Sequence, residues 1–172
     1  MIVGVDPGQT GALVLLESDG TFVTAAPMPG FGAEPSAADF GALLEAMGTN
    51  RDLFVAIEEP FANNRASSIA QLNQGIGFGI LLGVVGALGY RHERIKPAQW
   101  KRDLGLPMSK DLTYAQKKKN SRIWASRLWP AEADRWAKTN SDGIAEAALI
   151  GESCRRRIVG VTPLVDNRQN NN

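Results

Sequence analysis

Cysteine is almost missing from this sequence: Cys154 stands alone among 172 residues. No disulfide can close within the chain, and a reducing, cytoplasmic setting is the expectation. Histidine is equally scarce, with only His92, which reads as part of a strand surface. Nothing at the N-terminus has the pattern of a signal peptide, because residues 1–5 run directly into Asp6-Pro7-Gly8. The longest apolar run, residues 76–89, is about 14 residues and dense in glycine, short of a bilayer span. It reads as a buried core helix, and no membrane partner is expected. Positive charge is scarce in the first half, where residues 1–90 hold 2 Lys/Arg against 9 Asp/Glu.

What is present is a basic block. The formal net charge of +1 conceals residues 91–127, which hold 11 Lys/Arg against 3 Asp/Glu. Such a block fits a polyanion partner or a set of solvated helix faces. A chain of this length can bury roughly two thirds of its unfolded surface as one domain, without disulfide or metal. Residues 1–160 are expected to form it. The polar stretch 161–172, ending in a Gln-Asn run, is expected to be a disordered tail.

Taken in order, residues 2–5 and 12–16 read as strands joined by a tight Asp6-Pro7-Gly8 turn, and 22–26 as a third strand after Asp19-Gly20. Loops this short make an antiparallel meander. Asp6 falls at the end of the first strand, where Pro7 fixes the backbone and Gly8 and Gly11 permit close approach by a ligand or a neighbouring chain segment. Residues 27–35 read as a loop, and Ser36 can cap a helix carrying Phe40, Leu43, Leu44 and Met47. Residues 53–57 form a continuous apolar run, a strand buried on both faces that ends in Glu58-Glu59-Pro60-Phe61.

Residues 65–88 carry a helical pattern with a row of Gly75, Gly79 and Gly83, a packing surface for the sheet or for a second copy of the chain. Residues 91–95 read as the next strand, and Pro97 opens a short helix ended by Gly105. Helices over 112–128, basic and amphipathic, and 141–159 follow. On the last of these, Asp142 and Glu146 lie four residues apart on one face of an otherwise apolar helix. Two readings stand: a cation held between two carboxylates, or a helix-opening Asp with a solvent-facing Glu.

Acids therefore end or interrupt three core elements, at Asp6, at Glu58 and at Asp142 with Glu146. Together they are the parts of a two-metal phosphodiester cleavage site, in which several carboxylates hold the cations while leaving positions open for phosphate and water. A basic flank suits the same substrate, a polyanion.

On these pieces the chain resembles a RuvC-type Holliday junction resolvase, of the ribonuclease H and retroviral integrase superfamily. The resemblance spans residues 2–148. It is carried by Gly4-Val5-Asp6-Pro7-Gly8 with Thr10-Gly11, by Ala56-Ile57-Glu58-Glu59-Pro60-Phe61, and by Asp142-Gly143-Ile144-Ala145-Glu146-Ala147. It implies an α/β, ribonuclease H-like fold: a mixed five-stranded sheet, antiparallel meander plus parallel strands, flanked by helices. Matching positions make Asp6, Glu58, Asp142 and Glu146 the metal-binding and catalytic acids, with two Mg²⁺ or Mn²⁺ ions per site. Glu59 is a second candidate at the strand end. Lys101 resembles a family lysine near the scissile phosphate, and one of Lys117, Lys118 and Lys119 a second, with a solvated helix face as the alternative for that run. Phe61 matches an aromatic that stacks at the junction centre, or is a core residue after Pro60. Lys110 and Arg122 complete the expected DNA-binding set.

Bacterial members carry their last two acids three residues apart, whereas here the spacing is four, which resembles the phage and chloroplast branch. The implied activity is a structure-selective endodeoxyribonuclease that resolves four-way DNA junctions by symmetric nicks in a homodimer. A ribonuclease H-like or broader branched-DNA nuclease, and a non-catalytic nucleic-acid-binding module of the same fold, are the alternatives. A sugar kinase or actin-like ATPase would share the Asp6 to Gly11 loop but needs a duplicated domain, and that pattern is not repeated.

Overall fold

A computed structural model describes residues 1–31, 34–48, 52–60, 67–109, 111–138 and 142–160. In chain order the elements are β1 (Ile2–Asp6), β2 (Ala12–Leu16), β3 (Phe22–Pro27), β4 (Gly30–Phe31), β5 (Glu34–Pro35), α1 (Ala37–Gly48), β6 (Phe54–Glu58), α2 (Ser68–Ala87), β7 (Arg91–Ile95), α3 (Pro97–Asp103), α4 (Tyr114–Leu128), a 3-10 helix (Pro130–Trp136) and α5 (Asp142–Val159). The main sheet runs β3-β2-β1-β6-β7. β1 pairs antiparallel with β2, and β2 with β3, as short loops require. β6 joins β1 and β7 in parallel, each connection passing through a helix. The mixed five-stranded sheet of the sequence reading is the one observed.

Alternation along the strands divides the core. Val3 and Val5 of β1, Leu13 and Leu15 of β2, and Val55 and Ile57 of β6 face α1 and α2, packing on Phe40, Leu44, Leu81 and Val85. The opposite parity (Ile2, Ala12, Val14, Leu16 and Ala56) faces α5, Trp100, Trp129 and Trp136. Gly4 lies on this second face, and α5 runs so close over it that a Cβ there would stand 2.0 Å from the carbonyl oxygen of Ala147. The far end of α5 is tied down as well, because Arg157 bonds to Asp103 of α3 at 2.5 Å and also pairs with Glu93 of β7.

Helix starts follow the side chains that can satisfy free amides. Ser36 accepts from the Asp39 amide and Ser67 from that of Ala70. Thr113 and Gln116 form a reciprocal capping box at the head of α4.

Pro130–Trp136, for which no element was expected, forms a 3-10 helix that burial of Trp129 and Trp136 holds in place. Two expectations change. Residues 27–35 contain the hairpin β4–β5, with strands of two residues, rather than loop alone. The second is α2, which is not a buried core helix. Only Gly77, Leu81 and Val85 are buried, while Ile69, Leu72 and Ile76 are exposed, Ile69 by 72%. Its 20 residues lie within the helical pattern read over 65–88, which Gln71, Asn73 and Gln74 do not break. By length and composition it meets the requirement for crossing a membrane, while its buried stripe packs into the core beside α1. The predicted tail, 161–172, lies outside the described residues.

Candidate active site

Strand parity and register place the first two acids. Asp6 follows Val5 and Glu58 follows Ile57, and Val5 is the parallel partner of Ile57. The two carboxylates thus lie side by side on the face that carries α5. Both share the parity of Gly4 and Ala56, which pair with each other. The close passage of α5 over Gly4 then brings Glu146 alongside. A Cβ on Gly143 would stand 2.0 Å from the Thr10 carbonyl oxygen, so the start of α5 is seated on the β1–β2 loop. Of the two readings of Gly11, close approach by the chain itself is the observed one: a Cβ there would lie 2.0 Å from the backbone oxygen of Asp6.

Burial and mutual repulsion shape the electrostatics. Asp6 is 7% exposed. Burial first, and then the charge of Glu146, push its pKa up to about 6, against the pull of the Gly8 amide, which donates to Asp6 Oδ1 at 3.0 Å, and of Lys118 and Lys101. Glu58 is raised to about 7 by burial and by Asp6. It accepts a 2.7 Å hydrogen bond from the buried indole of Trp100, and Lys101 offsets part of the repulsion. Lys101 Nζ sits 4.9 Å from the centroid of the Trp100 ring. Asp6, Glu58, Glu146, Lys101 and Lys118 therefore act on one another within a single cluster.

Two basic residues of α4 face the two acids of α5. Lys118 donates to Glu146, and Arg122 Nε lies 3.3 Å from Asp142 Oδ1. Residues 118 and 122 are one turn apart, as are 142 and 146, so the cationic pair matches the acidic pair across the antiparallel helices. Burial works against the charge on Lys118, but Glu146 and Asp6 outweigh it and hold its pKa above the ordinary value. Ser121, also on this face, donates to Glu146 Oε1 at 3.1 Å. The Arg122 contact has the distance of an ion pair but not the alignment of a hydrogen bond, so Asp142 Oδ1 is buried without a hydrogen-bond partner among the described residues.

The donor set fits a hard divalent cation in its chemistry: four carboxylates, one orphaned buried oxygen, and two acids whose charge is opposed by their surroundings. As the side chains stand, no three His, Cys, Asp or Glu among the described residues converge closely enough to hold one ion. The ammonium of Lys118 and the guanidinium of Arg122 supply the positive charge instead.

The remaining expected residues are dispersed. Lys117 and Lys119 are exposed on either side of Lys118. Lys119 lines a shallow groove with Arg122 and Arg127. His92 is on the exposed surface of β7, as expected. Phe61 and Lys110 lie outside the described residues. The sequence reading passed over Trp100 and Ser121. A tryptophan beside Lys101 carried one usable signal, since a buried indole N–H needs an acceptor.

No protein-family model and no curated protein matches the chain. Solved structures do. T. thermophilus RuvC in complex with Holliday junction substrate matches with a TM-score of 0.64 and 18% identity, over 92% of this chain and 95% of that one. A second Thermus thermophilus RuvC structure matches with a TM-score of 0.59 and 18% identity, over 92% of this chain and 96% of the other. The fold is therefore the ribonuclease H-like fold of RuvC. At this identity the likeness shows the fold alone.

Proposed function

We propose that the chain is a metal-dependent endonuclease that resolves four-way DNA junctions by paired symmetric nicks, leaving 5′-phosphate and 3′-hydroxyl ends. The observation that carries this reading is the meeting of Asp6, Glu58 and Glu146 at the end of β1, the end of β6 and one face of α5, with Lys101 and Lys118 in the same field. The shared fold with a RuvC that was solved on a Holliday junction supports it. So does the basic block of residues 91–127, which supplies α3 and α4 around the acids.

Asp6, Glu58, Asp142 and Glu146 would hold two Mg²⁺ or Mn²⁺ ions. Bound there, such ions supply Lewis-acid polarisation of the phosphate and a lowered pKa for water. The chain's own groups do the rest. Trp100 and Ser121 fix the orientations of Glu58 and Glu146, and Lys101 offers an ammonium to charge that develops on the phosphate. Lys119 and Arg127, both exposed, would hold the DNA backbone. The four-residue spacing of Asp142 and Glu146 favours the phage and chloroplast branch of resolvases.

A panel of labelled four-way, three-way, flap, duplex and RNA/DNA substrates, each with Mg²⁺ and with Mn²⁺, tests the reading. Paired nicks restricted to the four-way species are expected. Equal cutting of the hybrid duplex would replace it with a ribonuclease H-like activity, and binding without any cutting would leave a non-catalytic module.

Two nicks in strands of like polarity need two sites, so a twofold dimer is part of the proposal. The exposed stripe of α2 is its interface. Around Gly75, Gly79 and Gly83 a Cβ would meet nothing within 4 Å among the described residues, so no contact among them accounts for these glycines. Gly79→Ala is accordingly expected to stabilise the isolated chain by up to about 1 kcal/mol through helix propensity. Gly79→Leu should weaken self-association by about tenfold or more in sedimentation equilibrium, as a bulky residue enters a tightly packed interface. A dimer unaffected by Gly79→Leu would move the interface elsewhere.

A further inference from the structure

Beside the acids lies a cavity of about 460 Å³ that none of the assigned roles uses. It falls in the size range of small-ligand pockets, about 300–1,000 Å³. Two of its lining residues also act on the acid cluster: Lys101 on Asp6 and Glu58, and Ser121, which donates to Glu146. Glu59, the chain neighbour of Glu58, lines it as well. An occupant would thus sit one side chain away from the acids.

The lining has two chemistries. Pro97, Ala98, Leu106, Pro107 and Met108 make an apolar surface, and Met108 is 49% exposed, a large hydrophobic side chain left facing solvent. Lys96, Lys101 and Lys117 place three ammonium groups around it. A flat apolar face joined to an anion satisfies both, and in a nucleic acid that is a base with its phosphate. Glu59 and Asn120 supply polar groups. A carboxylate only accepts hydrogen bonds, so it favours a base edge that presents an amino group over one that presents carbonyls.

We propose that this cavity takes one unstacked nucleotide of the strand being cut, its base on the apolar wall and its phosphate among the three lysines. The proposal rests on the junction-nuclease reading and adds to it a source of base preference. Leaving the stack costs least where stacking is already interrupted, as at a branch point.

The test uses four-way junctions carrying 2-aminopurine at successive positions around each nick, bound to the full chain in EDTA, with cleavage rates measured separately in Mg²⁺. One position is expected to brighten severalfold as its base leaves the stack. Ala98→Trp fills the cavity from an exposed position. It should abolish the brightening and slow cleavage about tenfold or more, while junction affinity stays within about threefold, because the phosphate contacts remain. Glu59→Gln offers a donor as well as an acceptor, and should relax the discrimination against thymine at the brightening position. If wild type binds and cuts the junction with no position brightening, or if Ala98→Trp brightens as wild type does, the pocket assignment fails and the nuclease reading stands. If wild type neither binds nor cuts junctions, the nuclease reading fails and takes the nucleotide with it.

Discussion

Asp6→Asn is expected to abolish junction cleavage and, in metal-free buffer above neutrality, to make the protein more stable. Both effects come from one carboxylate. It stands at the point where β1, β6 and α5 meet, so losing its charge would remove one of the acids proposed to hold the metal. A fall of about a thousandfold in cleavage rate, roughly 4 kcal/mol of barrier, is expected. The stability gain follows from proton linkage. Burial and Glu146 raise the Asp6 pKa from 3.8 to about 6, so the folded protein holds this proton more tightly than the unfolded chain does. Stability must then fall as pH rises through that interval, and Glu58, raised from 4.5 to about 7, extends the fall towards neutrality. Asparagine cannot ionise and escapes the loss, worth on the order of 3 kcal/mol at pH 8. In EDTA the melting temperatures of variant and wild type should coincide near pH 4, separate as the pH rises towards 6, and stay apart above it. Mn²⁺ should raise the wild type and leave the variant nearly unchanged, since only the wild type retains the full set of acids. An Asp6→Asn protein that still nicks junctions in Mg²⁺, or that melts with wild type at pH 8, would remove Asp6 from the site.

Gly4→Ala is expected to be among the most damaging single methyls in the described residues. The added carbon would lie 2.0 Å from the carbonyl oxygen of Ala147 and 2.5 Å from the amide nitrogen of Gly151. Both are backbone atoms of a buried helix, so no side-chain rotation relieves the clash, and α5 must move off the sheet. A loss of more than about 4 kcal/mol is expected, a large share of the roughly 5–15 kcal/mol that holds a domain together. Urea unfolding of Gly4→Ala against Gly79→Ala makes the comparison, because the same methyl on α2 meets nothing. If the variant folds with α5 displaced, Glu146 must separate from Asp6. Metal-dependent stabilisation would then be lost along with cleavage. A Gly4→Ala protein as stable as wild type would mean that α5 does not lie against β1.

The two predictions divide along the line between what was legible in the residues and what was not. The five strands of the main sheet and the five α-helices are legible in the residues, because their signals are local: Asp19-Gly20 turns, Ser36 caps, and a buried strand is a continuous apolar run; the β4–β5 hairpin and the 3-10 helix are not. The acids were legible by type and by position at strand ends. Their company was not. α2 shows the limit most plainly. Its apolar stripe and its glycine row read as one buried helix, yet the buried face proved to be Gly77, Leu81 and Val85, and the stripe was left outside. Composition states that a helix has apolar surface, but not which neighbour covers it.

By itself, then, the sequence determined the order of strands and helices and the presence of four carboxylates beside a basic block. Only the tertiary structure decided that Asp6 and Glu58 are adjacent, that Lys118 and Arg122 face Glu146 and Asp142, and that Trp100 serves Glu58. The physical reason is range. Turns, caps and periodicity act over a few residues, and each leaves a local mark. The parallel register of β1 with β6, and the seating of α5 on Gly4, join residues some 50 to 150 positions apart, settled by whole faces packing together. The same packing brings like charges within reach of one another, which is why the acids acquire raised pKa values that no stretch of sequence could have announced.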